Sequence, residues 1–289
     1  MRPFSYERPR TLAAAIRILE ATGTAATALA GGTDLIIDLR DGSVRPDVVV
    51  DLKGIDEIEA GIREEGDRLV IGARAVMEDI AADPRVRRDF IALAEAAAVV
   101  GSVQIRNRAT LAGNICNASP AADTTPALLV YGAQVVAVGS GGGRRISIDD
   151  FLIGPGVTAL APGELVAGIE LPLPTQRRGA VHVRRTRRRG HDLASVTLAC
   201  AVFEGGSVRL AYGSVGPRPW LVTDDSGVLA DPAASAEAWT AILEPLLAAA
   251  SPSPRSMRAG PEYRLAMLRV LARRALDVAN RRLTNGATA

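Results

Sequence analysis

The chain has 289 residues, of which 48% are hydrophobic, 23% charged and 3% aromatic, and its formal charge is +2. This describes a soluble globular protein of two domains, or three small ones; it excludes a global nucleic-acid signal and a surface that stacks unpaired bases on aromatic rings. Two cysteines (Cys116, Cys200) and two histidines (His182, His191) exclude a disulfide framework and a four-ligand zinc or iron–sulfur site.

No metal ligand is therefore assigned, and any redox chemistry needs an organic cofactor. The opening MRPFSYERPR lacks the apolar core of a signal peptide, and no apolar run is long enough to span a bilayer. The expected location is the cytoplasm.

In chain order, Thr11 is placed to cap the helix TLAAAIRILEATG, whose Leu12, Ile16 and Leu19 share a face and whose Gly23 ends it. A small-residue strand, TAATALA, leads through the glycine turn AGGTD into LIIDL, which closes at Gly42. DVVVDL at 47–52 is apolar without alternation, as in a strand buried on both faces, so residues 1–54 form a small α/β unit with at least two parallel strands. From residue 55 the texture changes. GIREEGDRLVIGA reads as a hairpin turning at Glu65, Gly66 and Asp67, and AVMEDIAAD and DFIALAEAAAVV read as helices.

After the stretch ATLAGNICNASPAAD come a helix through PALLVYGA, a second hairpin in AQVVAVGSGGGRRISID, and a strand in GELVAGIELPLP stopped by Pro172 and Pro174. Those prolines place a domain boundary near 175. Beyond it three antiparallel strands are expected, at 180–187, 193–204 and 207–215, followed by the helices SAEAWTAILEPLLAAA and PEYRLAMLRVLARRALDVANRR; in the second, Leu265, Leu268, Leu271, Ala275 and Leu276 form an apolar face.

Two small-residue loops are the chemical candidates. In AGGTDL at 30–35, adjacent glycines let successive N–H groups turn into one concavity that suits a phosphate oxygen, and Thr33 adds a hydroxyl. In TLAGN at 110–114, Gly113 permits close backbone approach, Asn114 and Asn117 offer amides, and Asp123 can accept from a hydroxyl. Each also has a plain structural reading: a strand-to-helix turn for the first, a kinked strand and capped helix with Cys116 as a core residue for the second. Together they suit the two phosphates of a dinucleotide, with Asp123 on a ribose or ribityl hydroxyl.

Other features carry less. GSGGGRR at 139–145 fits neither a P-loop nor G-x-G-x-x-G and lies between strands, so it is a hairpin tip. His182 in a strand and His191 beside Asp192 read as structural or surface residues, and no catalytic acid, base or nucleophile is assigned. Seven arginines fall between Arg177 and Arg189. They admit three readings: charge balance for a bound anion, partner docking, or a solvated strand face.

AGGTDL and TLAGNICNASPAAD, in this order and about eighty residues apart, resemble the FAD-binding medium subunit of the molybdenum hydroxylases, the xanthine dehydrogenase and carbon monoxide dehydrogenase group. The similarity continues through PALLVYGA, GELVAGIELP and RRTRRRGHDLASVTLACAV, and so spans the chain. The resemblance implies an α+β protein: a two-part FAD-binding domain of the vanillyl-alcohol-oxidase (PCMH) type at 1–175, divided near 54 and 55, then a C-terminal domain at 176–289 with a three-stranded antiparallel sheet and helices.

Carried over motif by motif, the resemblance places Leu29, Ala30, Gly31, Gly32, Thr33, Asp34 and Leu35 on one side of the FAD pyrophosphate and Thr110, Ala112, Gly113 and Asn114 on the other. Asp123 meets a sugar hydroxyl, Leu165 or Val166 lies by the flavin, and Arg184 approaches it. Some relatives set an aromatic ring beside the isoalloxazine; this chain has Val99 and Val100 there.

As family members work, the chain is implied to carry electrons from the clusters of an iron–sulfur small subunit, fed by a molybdopterin large subunit, through FAD to NAD or another acceptor, within a dimer of heterotrimers. The rival readings are a nucleic-acid-binding module built on the arginine run and a standalone flavin oxidase.

Overall fold

The computed structural model describes residues 2–188 and 190–285; Arg189, the last member of the arginine run, lies outside the described residues. The first unit is a parallel three-stranded sheet. Its strands are β1 (Ser5–Glu7), β2 (Ala26–Leu29) and β3 (Val48–Asp51), in the order β1-β3-β2, with helix α1 (Leu12–Thr22) and helix α2 (Leu35–Asp41) between them. The central place of β3 explains its unbroken apolar run: Val49 and Val50 are both buried. Thr11 caps α1 by accepting from the Ala14 N–H, and Gly42 ends α2 in the left-handed conformation, φ 80°. The three-residue β1 has no apolar residue facing a core and was not expected from the sequence.

The second unit begins with the hairpin β4 (Ile62–Glu65) and β5 (Arg68–Gly72). Helices α3 (Met77–Ala82), α4 (Pro84–Asp89), α5 (Ile91–Ala98), α6 (Val103–Arg106), α7 (Leu111–Cys116) and α8 (Thr124–Val130) follow. The hairpin β6 (Gln134–Gly139) and β7 (Gly142–Ser147) turns at Ser140 and Gly141, as the glycine-rich tip predicts. After α9 (Ile148–Phe151) and the small hairpin β8 (Leu152–Gly154) and β9 (Val157–Thr158), β10 (Leu165–Pro172) runs through the middle of an antiparallel sheet ordered β4-β5-β10-β6-β7.

The remainder is a sheet of β11 (Arg178–Arg185), β12 (Val196–Phe203), β13 (Val208–Gly213) and β14 (Trp220–Asp224), all antiparallel neighbours, with α10 (Ala236–Leu247) and α11 (Pro261–Asn285). The sheet has four strands where the sequence predicts three. The extra strand WLVTD follows the run Gly216-Pro217-Arg218-Pro219, whose punctuation hides it. On α11, Leu268, Leu271, Ala275 and Leu276 are buried with Ala272 and Ala279, while Leu265 is half-buried.

Alternation on β11 serves two cores. Val181 and Val183 pack into the core beneath α10 and α11, while Ala180, with Ala199, Ala201, Phe203 and Ala211, belongs to the larger core formed mainly by the preceding elements. Arg178 lies over the rings of Phe90 and Tyr131, 5.0 and 4.6 Å from their centroids, and donates to the Asp89 carbonyl. Glu95 on α5 accepts from the His182 backbone N–H at 2.9 Å and from Arg282 of α11 at 2.5 Å.

Candidate functional site

The two small-residue loops meet. A Cβ on Gly31 would stand 2.1 Å from the Arg108 carbonyl oxygen and 3.1 Å from Ala109 Cα, so only glycine allows the first loop to lie on the chain leading into the second. Gly32 has φ 77°, which turns the backbone before α2. Among the described residues, the N–H groups of 31–34 find no protein acceptor, while the carbonyls of Gly32 and Asp34 start the helix. α2 and α7 are too short for a large helix dipole, so the attraction for an anion comes from these individual amides.

The second loop is fixed from behind. Met77 N–H donates to the Ala109 carbonyl at 2.9 Å and Leu111 N–H to the Ala75 carbonyl at 3.2 Å, pinning residues 109–111 to the strand-like segment 75–77. Thr110, itself buried, caps α7 by accepting from Gly113 N–H at 3.0 Å. Gly113 is exposed in the first turn, and a Cβ there would meet only Thr110 Oγ1, at 3.0 Å. Asn114 Oδ1 accepts from the buried Thr124 hydroxyl at 2.5 Å, which ties α7 to the start of α8. Cys116 is a packing residue, its thiol pushed up to about 12 by burial.

Asp123 precedes α8 without capping it. Its Oδ2 accepts from Arg184 Nη1 at 2.6 Å, across from β11. Its Oδ1 is buried without a donor, the imidazole Nε2 of His182 standing 3.5 Å away. Burial pushes this carboxyl up, but His182 and Arg184 outweigh it and hold the group below the ordinary carboxylate range. An ionised carboxylate at this place, held by Arg184, is an acceptor of the kind a ligand hydroxyl uses.

The other expected residues are less close to this centre. Leu165 and Val166 open β10, which packs against α7, and both are buried in the first core. Val100 is half-buried against the same core, and its carbonyl accepts from Arg106. Thr33 and Leu35 are half-buried; Asp34 is exposed as a residue, its carboxyl raised by partial desolvation and by the neighbouring Asp38. Ala112 is buried.

Lys53 was missed. Its Nζ lies 2.6 Å from Asp51 Oδ1 and reaches the Ala30 carbonyl at 3.4 Å, and the buried Asp51 also accepts from Tyr6. Its signal was topological: two residues past the end of a central parallel strand is the edge where open α/β sheets bind ligands.

Among the described residues, the arginine run does not make one exposed patch. Arg177 donates to the Leu283 carbonyl, Arg178 lies over the Phe90 and Tyr131 rings, Arg184 holds Asp123, Arg185 donates to Tyr263 and Arg187 pairs with Asp192. A polyanion-binding surface would need these guanidinium groups free. Among the described residues no cluster of three or more His, Cys, Asp or Glu is placed to hold a metal, and no helix is long and apolar enough to cross a membrane.

The chain is similar to known proteins over nearly its whole length. A family model described as "FAD binding domain in molybdopterin dehydrogenase" matches residues 2–174, and one described as "CO dehydrogenase flavoprotein C-terminal domain" matches residues 182–279. The chain is 30% identical over 280 residues to the carbon monoxide dehydrogenase medium chain of Hydrogenophaga pseudoflava, covering 96% of each. It is 31% identical over 280 residues to the putative xanthine dehydrogenase FAD-binding subunit of Escherichia coli K12, covering 95% of each. The structure of reconstituted CO dehydrogenase from Oligotropha carboxidovorans matches with a TM-score of 0.90 at 29% identity, over 97% of this chain and 99% of that one. The chain belongs to the family of FAD-binding subunits of molybdenum hydroxylases, oxidoreductases that include carbon monoxide and xanthine dehydrogenases, and its cofactor is FAD.

Proposed function

We propose that the chain is the electron-transfer subunit of a cytoplasmic molybdenum hydroxylase, working with an iron–sulfur small subunit and a molybdopterin large subunit in a dimer of heterotrimers. In this reading residues 1–175 are a two-part FAD-binding domain of the vanillyl-alcohol-oxidase (PCMH) type, divided near 54 and 55, and residues 176–289 close over it. Bound FAD supplies exchange between one-electron carriers, the iron–sulfur clusters, and a two-electron acceptor such as NAD.

The chain's own residues bind, orient and exclude water. The amides of 31–34 replace the hydration of the phosphates and the small residues at the start of α7 let the opposite wall come close, since side chains larger than alanine or serine would hold the two apart. Leu29, Ala30 and Leu35 shape the first loop, Thr33 adds a hydroxyl, and Thr110, Ala112, Gly113 and Asn114 form the opposite wall. Asp123 accepts from a sugar hydroxyl, with Arg184 beside it; Leu165, Val166 and Val100 give the apolar side near the ring. No acid, base or nucleophile is required of the protein, because the redox chemistry belongs to the cofactor.

The observation that carries this reading is the contact of Gly31 with the Arg108 carbonyl, which brings two distant loops to one place. The test is purification of the full chain together with its co-expressed neighbours. The expected result is a yellow protein with flavin absorption, iron–sulfur and molybdenum subunits co-purifying, and loss of the flavin bands in Gly32→Val and Gly113→Val. A colourless complex, or unchanged flavin content in both variants, sinks it.

A further inference from the structure

His182 sits where it can act on the site through another residue. On β11 the side chains of His182 and Arg184 turn toward Asp123, opposite to Val181 and Val183. The imidazole is buried, its Nε2 is 2.9 Å from Thr197 Oγ1, and the same nitrogen is 3.5 Å from Asp123 Oδ1. Asp123 Oδ2 already has Arg184, so Oδ1 is the one carboxylate oxygen still in need of a donor, and it is sealed from water. Thr197 Oγ1 belongs to a hydroxyl that both donates and accepts, so the ring is not committed to it in one sense only.

We propose that His182 is a positioning residue for the cofactor: carrying its proton on Nε2, it shares that proton between Thr197 and Asp123 Oδ1 and, with Arg184 on Oδ2, fixes the carboxylate that receives a sugar hydroxyl of FAD. The inference rests on the reading of Asp123 as that acceptor. The charged groups facing the ring are Asp123 and Arg184, with Glu95 and its partner Arg282 behind the backbone. A neutral imidazole with its hydrogen on Nε2 meets the requirement, so no charge on the ring is invoked.

The test measures FAD affinity of the full chain by flavin fluorescence. His182→Leu removes the donor and weakens binding about tenfold, the size expected for a hydrogen bond to a charged group, whereas His182→Gln, which keeps an N–H near the same place, stays within about threefold of wild type. In an Asp123→Ala background His182→Leu causes no further loss, because it acts through that carboxylate.

Unchanged affinity in His182→Leu, equal loss in the leucine and glutamine variants, or additive loss with Asp123→Ala each overturns the proposal. Unaltered affinity in Asp123→Ala overturns instead the sugar-hydroxyl reading beneath it. Where His182→Leu does not fold, the wild-type chain serves. It has two histidines, so nitrogen-15 imidazole spectra are simple: a proton on Nε2 of His182 and a shift on adding FAD are expected, and an unprotonated Nε2 in the FAD-loaded protein refutes the role.

Discussion

Gly31 lies directly on the carbonyl of Arg108, 2.1 Å from where its own Cβ would be. Backbone oxygen cannot yield as a side-chain tip can. Gly31→Ala therefore separates the two loops or displaces 108–109, and the hydrogen bonds of Ala109 and Leu111 to the 75–77 segment with them. The expected cost is about 1–3 kcal/mol, seen as a fall of several degrees in Tm, together with loss of FAD from the purified chain.

Gly113→Val separates binding from folding. The position is exposed and its added Cβ meets only Thr110 Oγ1, at 3.0 Å. In helix propensity valine is no worse than the glycine it replaces, but its methyl groups occupy the face from which a phosphate would approach. Circular dichroism and Tm should remain near wild type while flavin absorption is lost.

Lys53→Met removes the cation from a carboxylate that is 1% exposed. Asp51 would retain Tyr6 and the Lys53 backbone N–H but lose its charge partner, at about 1–3 kcal/mol, less than for a fully buried pair because the lysine side chain is 35% exposed to screening solvent. Denaturant unfolding reads this. Lys53→Arg, which keeps the charge, should recover most of the stability.

Acid should act through Asp51 and Asp123. Burial raises both carboxyls, but Lys53 and Tyr6 for Asp51, and His182 and Arg184 for Asp123, lower them further, so both are held below the ordinary value near 4. The unfolded chain binds these protons more readily. Their contribution to stability is thus complete above about pH 4 and drains away as pH falls through the lower folded values. Tm measured from pH 7 downward should owe no loss to these groups until about pH 4; in Asp123→Asn the acid-dependent fall should be shallower.

Glu95→Ala probes the seam between the two cores. It leaves the His182 N–H without its acceptor and Arg282 without its carboxylate. Leaving a buried N–H unsatisfied costs about 1–3 kcal/mol. The loss should appear in thermal unfolding of the whole chain, and Glu95→Gln, which still accepts the N–H bond, should lose less.

Much of the fold was legible because local signals agreed: Thr11 and Gly23 bound α1, the Gly66 turn makes its hairpin, and the apolar run of β3 lies in mid-sheet. β1 and β14 escaped because one is three exposed residues and the other follows two prolines. The loops themselves could be named from composition, and the resemblance implied that they share one dinucleotide; what the sequence did not show is how they meet, which depends on Ala75 and Met77 holding 109–111 from a distant segment. Lys53, like His182, looks ordinary along the chain; only strand order and cross-strand placement put them beside Ala30 and Asp123.

The carboxylate of Asp123 is contributed by one half of the polypeptide and its guanidinium by the other. A shortened flavin module cut at the proline-rich junction would keep both glycine loops and still carry a damaged pocket, with Asp123 stripped of its counter-ion and of the strands that enclose it. Engineers wishing to graft this cofactor cradle elsewhere would have to transplant β11 along with it, or redesign residue 123 as a neutral amide.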